Sequence, residues 1–211
     1  MQPECELLGA MLPAVRLELV RRVVNWTVDA LPAECRELLD SDGGEWVGHA
    51  VRMIDAAADG RTAHDEDVGP VVDELLELAD DVDFVPLWQL FNALVYGVGV
   101  SAAEMSGQTT TEILSACYDT VRDCADLPDV ALSEPAEVVL GREWANDACR
   151  AAIVRQKELV REVAQFHHRV SQHGIAVPRV EVRGAGAVGL DGDQDATAHP
   201  LCRADGEGVV R

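Results

Sequence analysis

Apolar residues recur three and four positions apart along most of this 211-residue chain, a period that fits α-helices and little else. Residues 14–30 repeat Val15, Leu19, Val23 and Trp26 on one side. A second, short helix is expected from Pro32 to near Asp40, with the run SDGG ending it. Residues 45–59 carry Trp46, Ala50, Met53 and Ala57 on one face, and Gly60 is a natural stop. After the polar run RTAHDED, a fourth helix is expected from about Pro70 to Val82, with Val71, Leu75 and Leu78 facing inward.

The most apolar segment runs from Phe84 to Val100. It contains Pro86, Gln89 and Asn92 and is flanked by acids, so it reads as a buried central helix rather than a membrane span. Ser101 with Glu104, and Thr109 with Glu112, match the capping-box spacing, in which each side chain satisfies an orphan backbone N–H. The second box is expected to open a helix over 110–125, closed by Leu127-Pro128. From Ser133 a single long helix is expected to reach His173, carrying Trp144, Ala148, Ala151, Leu159, Val163, Phe166 and Val170.

The fold class that follows is all-α. The expectation is a single bundle of six or seven helices over residues 1–178, with the 133–173 helix as its spine. Trp26, Trp46, Trp88 and Trp144 fall on apolar faces and are expected to meet in one core. Residues 179–211 are rich in Gly and Asp with no sustained period, and read as a disordered tail.

Charge narrows the function classes. The formal net charge is −21, so nucleic-acid backbone and anionic lipid are both disfavoured as partners. The N-terminus carries Glu4 and Glu6 where a secretory signal needs positive charge, and a cytoplasmic location is expected. Six cysteines with no CxxC pair read as reduced thiols packed in the core. His167, His168 and His173 lie near a Gly174 helix stop. Their spacing suits a helix C-terminus, where unpaired carbonyls favour cationic side chains, better than a metal site.

Acidic residues carry the strongest organisational signal. Between Thr62 and Val121 there is no Lys or Arg, and nine acids crowd one short stretch. They are Asp65, Glu66, Asp67, Asp73, Glu74, Glu77, Asp80, Asp81 and Asp83. A solvated face is one reading of this block. The functional reading is a surface that meets a basic protein partner by electrostatic steering, as an immunity-like or nucleic-acid-mimicking protein would. The chain has no Gly-rich phosphate loop and no nucleophile elbow.

A different reading rests on paired carboxylates. Glu34 and Glu37, and Glu77 and Asp80, are each three apart, a spacing that can hold Mg²⁺ with water and substrate phosphates completing its shell. The two pairs resemble the ExxE and ExxD motifs of all-α nucleoside-triphosphate pyrophosphohydrolases of the MazG type. That resemblance, confined to residues 30–100, implies a Mg²⁺-dependent enzyme with Glu34, Glu37, Glu77 and Asp80 as metal ligands.

Overall fold

The computed structural model describes residues 3–61, 65–125, 127 and 134–173. They form nine α-helices and no strand, so the chain is all-α as its periodicity requires. In order these are α1 (Pro3–Ala10), α2 (Pro13–Ala30), α3 (Ala33–Leu38), α4 (Gly44–Ala58), α5 (Asp65–Asp80), α6 (Trp88–Val98), α7 (Gly107–Asp123), α8 (Ala136–Ala145) and α9 (Asp147–His173). The region expected to be a disordered tail lies outside the described residues.

Helix α6 sits at the centre, as its composition suggests, and packs against α4, α5 and α7. Leu90, Phe91, Ala93, Leu94 and Val98 are buried along it. Phe91 meets Phe84 edge to face, with ring centroids 5.8 Å apart. Gly97 lets α4 approach: a Cβ at this position would stand 2.8 Å from Ile54 Cδ1. Leu17, Leu19, Val20, Val23 and Val24 of α2 close the same core from the other side, where α2 crosses α4, α7 and α9.

Several boundaries differ from the sequence expectation, each for a physical reason. The run SDGG does not break the chain. Residues Leu39–Gly43 form a π-helical turn that joins α3 to α4 without an interruption. Burial of Leu39 and Val47 on the same core keeps the segment wound through its two glycines. Gly60 does stop α4: with φ 75° it takes the left-handed position, and the N–H groups of Gly60 and Arg61 bond back to Ala57 and Ala56.

Helix α5 begins at Asp65, ahead of the expected start, and Pro70 lies inside it. Proline removes one intrahelical hydrogen bond. Val68 and Val71 pack on the core on either side of Pro70, and the helix runs through it. Ser101 and Glu104 hold a turn rather than a helix start, with Ser101 Oγ donating to Glu104 Oε2 at 2.7 Å. The true cap of α7 is Ser106, whose hydroxyl accepts from the Thr109 N–H at 2.9 Å.

The expected spine is two helices. Asn146 takes extended backbone angles (φ −78°, ψ 128°), and its side chain accepts from the N–H groups of Ala148 and Cys149. This is an N-cap, and it starts α9 afresh. The four tryptophans do not share a core. Trp46 packs on the main cluster and Trp26 on a smaller one around Tyr118, Cys149 and Ile153, while Trp88 and Trp144 are exposed.

Candidate functional site

The acidic block folds as α5 and the 3₁₀ turn Val82–Leu87 that leads into α6. Asp65, Glu66 and Asp67 form the first turn of α5. Asp73, Glu77 and Asp80 are exposed along one stripe of that helix, and Glu74 is half-buried beside them. Asp81 and Asp83 are exposed at the turn, where Asp81 Oδ1 caps the Asp83 N–H at 2.9 Å. Among the described residues, none of Asp73, Glu74, Glu77, Asp80, Asp81 and Asp83 pairs with a cationic side chain.

The arginines that form ion pairs among the described residues do so elsewhere. Glu18 takes Arg21 at 2.7 Å and Arg22 at 2.6 Å. Arg155 of α9 reaches Glu158 and Glu162, and Arg161 pairs with Glu4 of α1. Arg21, Arg22 and Arg155 gather with Trp26 around a cavity of about 400 Å³ between α2 and α9, each countered by these glutamates. Positive charge is thus neutralised at the α2–α9 side, and the α5 side keeps its negative field.

Apolar side chains interrupt the acidic stripe. Leu76, between Asp73 and Asp80, is 44% exposed, and Val85, two residues after Asp83, is 59% exposed. Trp88 and Tyr96 are 42% and 48% exposed on α6, with half-buried Asn92 midway between them at helical spacing. Periodicity alone places Trp88 in the core. The signal against that placement is the offset of Trp88, Asn92 and Tyr96 from the buried stripe Leu87, Leu90, Leu94. Gln89 and Asn92 are half-buried on this outer side rather than sealed in the bundle.

The carboxylate pairs are not brought together. Glu34 and Glu37 are exposed on α3, and Glu77 and Asp80 are exposed on α5. Among the described residues no group of three or more His, Cys, Asp or Glu is placed to hold a metal ion. The four-carboxylate site implied by the pyrophosphohydrolase resemblance is therefore not assembled. His167 and His168 lie near the end of α9, where they line a groove of about 700 Å³ with Leu7, Met11 and Ala164. No described helix is long and apolar enough to cross a membrane.

Ionisable groups are buried where α7, α8 and α9 meet. The Tyr118 hydroxyl donates to Glu143 Oε2 at 2.9 Å, and both residues are buried. Burial, reinforced by the Glu143 charge, pushes the Tyr118 and Cys149 protons toward retention. Next along α7, Asp119 meets Arg122 at 2.8 Å, and Arg122 also reaches Asp123 at 3.0 Å. Burial outweighs the Arg122 attraction and raises the Asp119 carboxyl to about 6. The arrangement ties three helices together and presents no solvent-facing nucleophile.

Asp119 gives the protein a distinctive pH dependence. Its folded value lies above the ordinary 3.8, so the folded state binds the proton more tightly and stability falls as pH rises from about 4 to about 6. The loss is at most about 3 kcal/mol. Glu18 works in the opposite sense: burial raises its carboxyl, but hydrogen bonds from Arg21 and Arg22 outweigh this and hold it low, so its contribution disappears in acid. Urea titrations of the wild type and D119N at a series of pH values isolate the first effect. The wild type is expected to lose stability relative to D119N across that window, and parallel curves would refute it.

No protein-family model, curated protein or solved structure matched this chain. The reading of function rests on its own geometry.

Proposed function

We propose that this chain is a non-catalytic binding protein whose α5–α6 side engages a basic protein partner. The carrying observation is a stripe of exposed carboxylates without counter-ions among the described residues, with exposed Leu76 on the same helix and exposed Val85 and Trp88 on the turn and helix that follow it. Unpaired negative charge speeds encounter with a cationic surface and rejects acidic ones. Exposed aromatic and aliphatic side chains supply the water-excluding contacts that hold a complex once formed. Either element alone has a blander account, as a solvated face or as scattered surface apolar residues. Together on adjacent elements they support a docking surface. Neutralisation of a toxic enzyme and mimicry of a nucleic acid are the two concrete forms of this activity, since both targets present basic surfaces.

The test is capture by the immobilised full-length protein from its native lysate, at about 0.05 M and about 1 M salt, where the Debye length has shrunk to about 3 Å. The triple variant D73R/E77R/D80R and W88A are run beside the wild type. A basic protein should be retained at low salt, released at high salt, and lost in both variants. The triple variant should fold at least as stably as the wild type, because it relieves like-charge repulsion. Retention unchanged by charge reversal, or no salt-dependent capture, overturns the proposal. A Mg²⁺ titration of thermal stability tests the enzymatic reading: a saturable rise lost in E77Q would favour a metal-dependent enzyme instead.

A further inference from the structure

Without CxxC pairs the cysteines read as inert core filler, but the fold singles out two of them. Cys35 lies on α3 and Cys124 directly follows α7, 89 residues apart, yet their Sγ atoms are 3.0 Å apart. That is about 1 Å beyond the bonded separation of about 2.05 Å in a disulfide. Among the four cysteines whose side chains are described, this is the one sulfur–sulfur contact. Cys117 is fully buried against Thr27, and Cys149 is buried beside Tyr118.

We propose that Cys35 and Cys124 form a site of reversible two-electron oxidation by a hydroperoxide, closing a disulfide between α3 and the end of α7. The assignment stands apart from the binding reading and does not depend on it. Cys124 is the point of entry, being half-buried where Cys35 is buried. Its thiolate attacks one peroxide oxygen, the O–O bond breaks, and the other oxygen leaves as the alcohol, or as water from hydrogen peroxide. Sulfur is now a sulfenic acid. The Cys35 thiolate attacks that sulfur, the S–S bond forms, the S–O bond breaks, and hydroxide leaves as water. Two thiols have lost two electrons and two protons, and one hydroperoxide has been reduced.

The surroundings set the rate and the consequence. Burial, a hydrogen bond with Cys35 and the neighbouring charge push the Cys124 thiol up, so little thiolate exists near neutrality and oxidation accelerates with pH. The carbonyl of Pro86 stands 3.5 Å from Cys124 Sγ, which places the turn leading into α6 against the same pair. The closed loop spans α4, α5, α6 and α7. A cross-link over a loop of this length removes enough unfolded-chain entropy to raise Tm on the order of 10 °C.

Reduced full-length protein is exposed to hydrogen peroxide at neutral and alkaline pH, alkylated, digested without reductant and mapped by mass spectrometry. A Cys35–Cys124 cross-linked peptide is expected, forming faster at the higher pH. A rise in Tm should accompany it, be reversed by dithiothreitol, and be missing in C35A and in C124S. Alkylation of both cysteines after prolonged oxidation, a cross-link formed only between other cysteines, or a Tm rise that persists in C35A would each overturn the proposal. Peptide mapping of the wild type decides the matter even if a variant folds poorly.

Discussion

Replacing Phe91 with alanine is expected to destabilise the fold by about 3–5 kcal/mol, enough to lower Tm on the order of 10 °C. Phe91 is fully buried in the central helix, in edge-to-face contact with Phe84 and among the inward residues of α6. Truncation removes its transfer free energy and leaves a void that the surrounding helices cannot close, because α6 is already held by α4, α5 and α7. F91L retains most of the volume and is expected to cost less than half as much. Chemical denaturation of the two variants checks the size and the ordering. Equal small losses would mean that α6 is not the centre of the core.

The second large effect concerns the hydrogen bond between Tyr118 and Glu143. Y118F deletes the hydroxyl and leaves the Glu143 carboxylate buried without its donor, at an expected cost of about 2–3 kcal/mol. E143Q retains an acceptor oxygen without the charge and is expected to cost about 1 kcal/mol. In Y118F/E143L both polar partners are gone, so the double variant should be less destabilised than the sum of Y118F and E143L. Urea unfolding at neutral pH measures all four variants. Strict additivity would show that the two side chains are not coupled. A loss confined to α8, seen as early hydrogen exchange there, would show that this contact docks α8 to α7.

The binary pattern makes most helices legible. Leu19 and Val23 on α2, and Leu75 on α5, fall on the inward faces that the period marks, and all three are buried. Boundaries are less legible, because they depend on competition between caps. Thr109 and Ser106 both offer a hydroxyl near the start of α7, and the sequence does not say which will close its bond to a backbone N–H three residues on. Asn146 likewise sits inside an unbroken apolar period, so the chain reads as one helix until its side chain is seen capping α9.

The acidic block is legible as a composition, and the exposure of Asp73, Glu77, Asp80, Asp81 and Asp83 without counter-ions among the described residues is what the helix packing adds. Arg21 and Arg22 meet Glu18 within α2, and Arg155 meets Glu158 and Glu162 within α9, at spacings already present in the sequence; the 3.7 Å contact of Arg22 with Glu162 is what the crossing of α2 and α9 adds. Trp88 escapes the sequence pattern because an aromatic at helical spacing is equally consistent with a core and with an outer stripe.

By itself the sequence determined the helical class, the central place of the Phe84–Val100 segment and the stretch without cations. These follow from hydrophobic period and charge, which are local properties of the chain. The tertiary structure decided which carboxylates remain unpaired, which aromatics meet solvent, and that Cys35 lies against Cys124. Those outcomes depend on how helices distant in sequence cross, and the spacing of residues along one helix carries no record of its neighbours.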